Sequence, residues 1–194
     1  MRTGTFVRVA VVAMAMLFAV SMASAQLNSG AQTIALNANL AESLTLSLSA
    51  NSVNFTLSAG SATNAGSANI TATTKWVLKP GRTAVGVYAY FASSSAALTG
   101  TASGATIPSS AFSITDTGAG SGGAGTSGAL SNTVVFGVAN SGLKMANVGI
   151  TGTNMNASRT DQMAFNIDLS GGTLPQLPAD TYTGTLNIQA QATP

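Results

Sequence analysis

Strict alternation of apolar and polar residues is the feature that most constrains this chain. Tyr182, Gly184, Leu186, Ile188, Ala190 and Ala192 alternate with Thr183, Thr185, Asn187, Gln189 and Gln191. Successive side chains of a strand point to opposite faces, so this pattern specifies a strand with one buried and one wet face. It is incompatible with an amphipathic helix, which needs apolar residues at i, i+3, i+4 and i+7. The same pattern holds for Ile34, Leu36, Ala38 and Leu40, with Thr33, Ala35, Asn37 and Asn39 between them, and again for Leu44, Leu46 and Leu48. Two strands are therefore expected to open the domain. Further strands are predicted over Val53–Leu57, Ala68–Leu78, Thr83–Phe91, Ala111–Thr115, Thr133–Val138, Met145–Ile150 and Gln162–Leu169, separated by stretches rich in Gly, Ser, Asn and Pro. Lys79-Pro80-Gly81-Arg82 is a strong reversal, because proline presets φ and glycine accepts positive φ. Many short strands and no helical spacing in the body of the chain predict an all-β fold, an antiparallel β-sandwich with a barrel as the competing closure.

The first 25 residues read differently. Arg2 and Arg8 precede an uncharged apolar run from Val9 to Val20, which is too short for a stable membrane span, and Ala23-x-Ala25 supplies the small residues that signal peptidase accepts. Residues 1–25 are thus expected to be a signal peptide cleaved between Ala25 and Gln26. Residues 26–194 are left as a single domain, exported to the periplasm, the cell surface or the medium. With Arg2 and Arg8 removed, Lys75, Lys79, Arg82, Lys144 and Arg159 balance Glu42, Asp116, Asp161, Asp168 and Asp180. A formally neutral chain gives no electrostatic footprint for nucleic acid. No second apolar run has the length of a membrane helix, so no membrane span is expected after processing. The absence of cysteine leaves the domain to be held by packing alone.

Chemistry is constrained by what is missing. Without His or Cys, the usual general base near neutral pH and the most nucleophilic side chain are both absent. Lys75 and Lys79 do not stand in a Ser-x-x-Lys motif, and Ser141-Gly142-Leu143-Lys144 has that spacing only in a stretch with no helical pattern. Asp161 and Asp168 flank a strand and would lie roughly 23 Å apart if it is extended, too far for a carboxylate pair, so edge charges or partners for arginine are the expected roles. Asp116, Asp161 and Asp180 lack the repeated Asp/Asn spacing of a calcium loop. Residues 116–131 form a glycine-rich stretch, expected to be a flexible, solvent-facing loop. Its Gly-x-Gly-x-x-Gly matches, starting at Gly118 and Gly120, lack the strand, helix and downstream acid of a dinucleotide site. No catalytic, cofactor or metal site is expected, and the chain reads as non-enzymatic. Trp76 falls on the face of Ile70, Ala72, Thr74 and Leu78, as core residues do. Tyr88 and Tyr90 fall opposite Val85, Val87, Ala89 and Phe91, and are the candidate contacts should the domain bind a sugar or another surface ligand.

Two segments carry a resemblance to a known group. Thr33 to Leu48 leading into Val53-Asn54-Phe55, and Leu177-Pro178-Ala179-Asp180-Thr181-Tyr182-Thr183-Gly184-Thr185-Leu186-Asn187-Ile188, resemble the secreted pilin-like domains of the spore coat protein U group, which includes subunits of archaic chaperone-usher pili. The chain departs from that group in lacking cysteines near the first strands, in carrying Thr56 after Phe55, and in carrying Asp180 where glycine is common. Tyr182 at the start of a strand also fits a tyrosine corner, a structural role. The resemblance implies an immunoglobulin-like sandwich lacking one strand, completed first by a periplasmic chaperone and then by the N-terminal extension of a neighbouring homologous subunit. It makes Ile34, Leu36, Ala38 and Leu40, within residues 26–40, the donor strand. Two functions stand side by side: a structural subunit of a bacterial surface fibre or outer layer, and a self-contained secreted sandwich that binds a glycan or other surface ligand.

Overall fold

The structure, a computed structural model, describes residues 29–194, so the expected signal peptide and the Ala25/Gln26 cleavage point lie outside the described residues. The chain divides into two compact units, residues 1–39 and Leu40–Pro194. In the first, residues 29–39 contain no helix or strand, and Ile34 and Leu36 are 85% and 90% exposed. The strand expected over Ile34–Leu40 is therefore not formed, although its alternation is intact. A lone strand leaves its N–H and C=O groups to water and becomes ordered only when a neighbouring edge pairs with it.

The second unit is all-β. Its strands in chain order are β1 (Ser43–Leu48), β2 (Asn64–Ala65), β3 (Ile70–Val77), β4 (Ala84–Tyr90), β5 (Leu98–Gly100), β6 (Thr106–Ile107) and β7 (Phe112–Asp116). They continue with β8 (Ala119–Gly120), β9 (Gly128–Ala129), β10 (Gly142–Gly149), β11 (Asn156–Ile167), β12 (Tyr182–Thr183) and β13 (Asn187–Thr193). All pairings are antiparallel. One sheet runs β1-β3-β11-β7-β9, the second β10-β4-β13, and a small third sheet β12-β5-β6. Among the described residues no helix is long and apolar enough to cross a membrane.

The two larger sheets form a sandwich because their inner faces share one core. Ile70 and Ala72 of β3, Ile114 of β7, and Met163, Phe165 and Ile167 of β11 pack with Val87 and Ala89 of β4 and Leu143 and Met145 of β10. Val85 and Val148 meet Trp76 and Leu78 in a second cluster, where the indole N–H donates to the Asn154 carbonyl at 2.8 Å. The faces read from alternation in β3 and β4 are the faces observed. A register shift between Lys144 and Ala146 interrupts the alternation of β10, so that Met145 and Ala146 are both buried. A bulge of this kind sends consecutive side chains to one face.

Several expected strands are corrected. Val53–Leu57 keeps only a single bridge, Phe55 to Gly66. The C-terminal run is broken into β12 and β13, which belong to different sheets. Thr133–Val138 forms no strand. Asn132 pairs with Gly142 across that segment, Gly137 adopts φ +78°, and Phe136 turns onto Tyr88 and Tyr90. Positive φ at Gly137 ends an extended run that the Val-Val-Phe sequence alone would favour.

Candidate functional site

The least finished part of the sandwich is the seam between β1 and β13. These strands approach one another from different sheets. β1 pairs only with β3 and β13 only with β4, so each has one edge without a backbone partner among the described residues. Leu44 and Leu46 of β1, with Ile188, Ala190 and Ala192 of β13, point toward the core but are only half-buried. Their counterparts Ala72, Val87 and Ala89 are fully covered. Neither Ser43–Leu48 nor Asn187–Thr193 carries a charge or a proline, the devices by which exposed edges usually resist pairing. Where β1 begins, Arg82 Nε and Nη2 hold both carboxylate oxygens of Glu42 at 2.7 and 3.1 Å, and Arg82 Nη1 donates to the Ala192 carbonyl. This ties the start of β1 to the end of β13.

Ile34, Leu36, Ala38 and Leu40, the residues assigned to a donor strand, are all exposed, Leu40 to 79%. The chain thus presents alternating apolar side chains with no cover, and separately an unpaired pair of strand edges.

Tyr88 and Tyr90 occupy the outer face of β4, as the alternation required. Phe136 meets the Tyr88 ring edge-on at 5.5 Å and stacks on Tyr90 at 5.9 Å, while Lys144 Nζ lies 5.6 Å above the Tyr88 ring. Tyr88 is left 5% exposed, and the Tyr90 hydroxyl donates to Gln189 Oε1. A sugar platform needs an open ring face. Tyr88 presents none while Phe136 is in place.

The acidic residues fall into two environments. Asp168, just beyond β11, is exposed and accepts from the N–H and hydroxyl of Ser170, which hold its carboxyl below the usual range. Asp180 accepts from the Ser103 N–H and hydroxyl at 2.7 Å, and from the N–H groups of Thr181 and Ala102. These donors, Ser103 foremost, hold its carboxyl far below the usual range. It fastens the turn after β5 to the start of β12, where the Tyr182 hydroxyl donates to the Pro178 carbonyl at 2.8 Å.

Asp161 is not an edge charge. It lies fully buried on β11, an interior strand, and is gripped by Arg159 two residues earlier on the same face through Nε at 3.0 Å and through Nη2. Asp116, at the end of β7, faces the same cluster because Met163 of β11 is its register partner. Both Asp116 carboxylate oxygens are buried without a hydrogen-bond partner in the described structure. Burial, and then the neighbouring Asp161 charge, push the Asp116 carboxyl up to about 7. Arg159 Nη1 also donates to the carbonyls of Ser121 and Gly123.

The glycine-rich stretch faces solvent at most of residues 117–127, as expected, but is not without structure. It contains β8 and β9, and it roofs this cluster. A Cβ on Gly118 would collide with Arg159 and Asp161, and one on Gly125 with the Asp116 carboxylate. These glycines permit close approach to buried charge and do not cradle a phosphate. Sequence reading missed the Asp116–Asp161 pair because the two acids meet only through the register of β7 and β11. No protein-family model matches this chain, and neither a curated protein nor a solved structure matches it.

Proposed function

We propose that this chain is a non-enzymatic, exported, pilin-like subunit that assembles into a fibre or outer layer by β-strand complementation. In this reading, Ile34, Leu36, Ala38 and Leu40 of one copy add as a strand to the seam between β1 and β13 of the next. The open, uncharged seam with its half-buried inward side chains is the observation that carries the reading. Backbone pairing along an edge supplies affinity, and alternate side chains entering the gap supply register.

The topology supports an immunoglobulin-like frame. The order β1-β3-β11-β7 fits strands A, B, E and D, and β4-β13 fits C and F with the position beside F unfilled, while β10, which pairs with β4 but follows β7 in the chain, has no counterpart in that order. The Tyr182 hydrogen bond to Pro178 matches a tyrosine corner at the approach to F. A periplasmic chaperone would cover the seam before assembly, and an N-terminal signal would route the chain there. Glycan binding through Tyr88 and Tyr90 is less well supported, since Phe136 covers the first ring.

The test is to add a synthetic peptide spanning residues 30–41 to a chain that starts at Glu42. Saturable binding that raises the melting midpoint is expected, and a peptide with Leu36→Arg should fail to bind. No binding and an unchanged midpoint would contradict strand complementation.

A further inference from the structure

The buried Asp116, Asp161 and Arg159 cluster has no part in the seam, and its composition is unbalanced. Two carboxylates face one guanidinium, whose Nε and Nη2 are committed to Asp161 and whose Nη1 is committed to the carbonyls of Ser121 and Gly123. Among the described residues no other charged side chain faces Asp116. The segment between β7 and β9 brings only hydroxyls, glycines and two alanines, and β10 brings Met145 and Val148, while Lys144 is turned outward over Tyr88. A space on the Gly125 side too small for a methyl group does not admit a hydrated cation. One proton, carried by Asp116, is therefore the economical neutraliser. Two adjacent carboxylates cannot both ionise cheaply in a buried site.

The roof is built to depend on that proton. Residues 117–127 bridge the two sheets on the side away from β1 and β13: Ser121 N–H donates to the Ser158 carbonyl at 3.2 Å, and Thr126 N–H to the Met145 carbonyl at 2.7 Å. The Asp116 N–H donates to Ser127 Oγ at 2.9 Å. The segment is so rich in glycine that closing it carries a large entropy cost, and few side chains anchor it. Its closed position is held mainly by polar contacts to the cluster and to the flanking strands.

We propose that Asp116, Asp161 and Arg159 form a proton-operated latch that holds the 117–127 segment across the two sheets in acid and releases it toward neutral pH. When Asp116 loses its proton, a second negative charge lies unpaired beside Asp161. Lifting the segment admits water to both carboxylates and frees the β10 edge at Met145. The direction follows from linkage: the open state holds an ordinary Asp116 and the closed state one that binds its proton more tightly. Opening therefore becomes easier as pH rises from the ordinary carboxyl range and levels off once the closed-state acid is ionised.

The experiment is amide hydrogen exchange on the folded mature chain, corrected for intrinsic rates, with carbon-13 titration of the Asp116 carboxyl and the same measurements on Asp116→Asn. The Asp116 carboxyl is expected to titrate at about 7. Protection at Ser121 and Thr126 should fall roughly 50- to 100-fold between about pH 5 and pH 8, mostly below about pH 7, and by less than about 3-fold in Asp116→Asn. Constant protection in the unsubstituted chain would overturn the latch, as would an Asp116 carboxyl titrating near 4, or an equal fall in the variant. Should Asp116→Asn fail to fold, the unsubstituted chain decides alone.

Discussion

Arg159 is the one cation facing two buried carboxylates among the described residues, so its removal is expected to cost far more than an exposed ion pair would. Arg159→Met should destabilise the domain by about 3–5 kcal/mol, because it strands a buried charge on Asp161. The sole tryptophan, Trp76, is buried and reports the denaturant transition by its fluorescence. The pH dependence also belongs to single residues. Asp180 is held ionised by its donors, so its contribution is present above the ordinary carboxyl range and is lost as pH falls below it. Asp116 has the opposite sign: its raised value makes stability fall as pH climbs from the ordinary range toward about 7. The two together place maximum stability at about pH 4, and Asp116→Asn should flatten the neutral side of the profile in a series of denaturant titrations. Little of this was legible in the sequence. Asp161 and Arg159 stand two apart on a strand and so share a face, but Asp116 joins them only through the pairing of β7 with β11, which no local pattern encodes.

Strands whose alternation is uninterrupted are those the sequence places well. β3 and β4 fall within the expected Ala68–Leu78 and Thr83–Phe91 runs, with Trp76 inward and Tyr88 outward, because period two follows from strand geometry itself. Where backbone conformation or a bulge intervenes, residue type misleads. Gly137 turns the Thr133–Val138 run back over the sheet, and the shift at Lys144 and Ala146 hides the start of β10. Gly137→Ala combines positive φ with an approach of 2.6 Å to the Tyr90 ring, and a loss of about 1–3 kcal/mol is expected from thermal or denaturant melting. The Ile34–Leu40 alternation has the strand pattern but forms no ladder, since pairing needs an edge as well as a sequence. Replacing both Ile34 and Leu36 by Arg should leave the monomer's melting midpoint unchanged, because both side chains are exposed. The same pair should abolish association, which native gels would show.

Across the whole molecule, the sandwich is closed on one side by the glycine-rich segment and open on the other between β1 and β13. Fold class was accessible from the spacing of apolar residues. The open seam was not, because it depends on which strands end up next to each other in different sheets. Burying Ile34, Leu36 and Leu40 in such a seam is worth roughly 4.5–9 kcal/mol at 1.5–3 kcal/mol per side chain, before the cost of ordering the segment and with backbone pairing in addition. The most direct measurement is the mass distribution of the processed protein, taken from its native envelope without boiling, beside a version starting at Glu42. A ladder that collapses on heating and is absent from the truncated version is the result expected. A single folded monomer from the intact mature chain would contradict assembly by strand complementation.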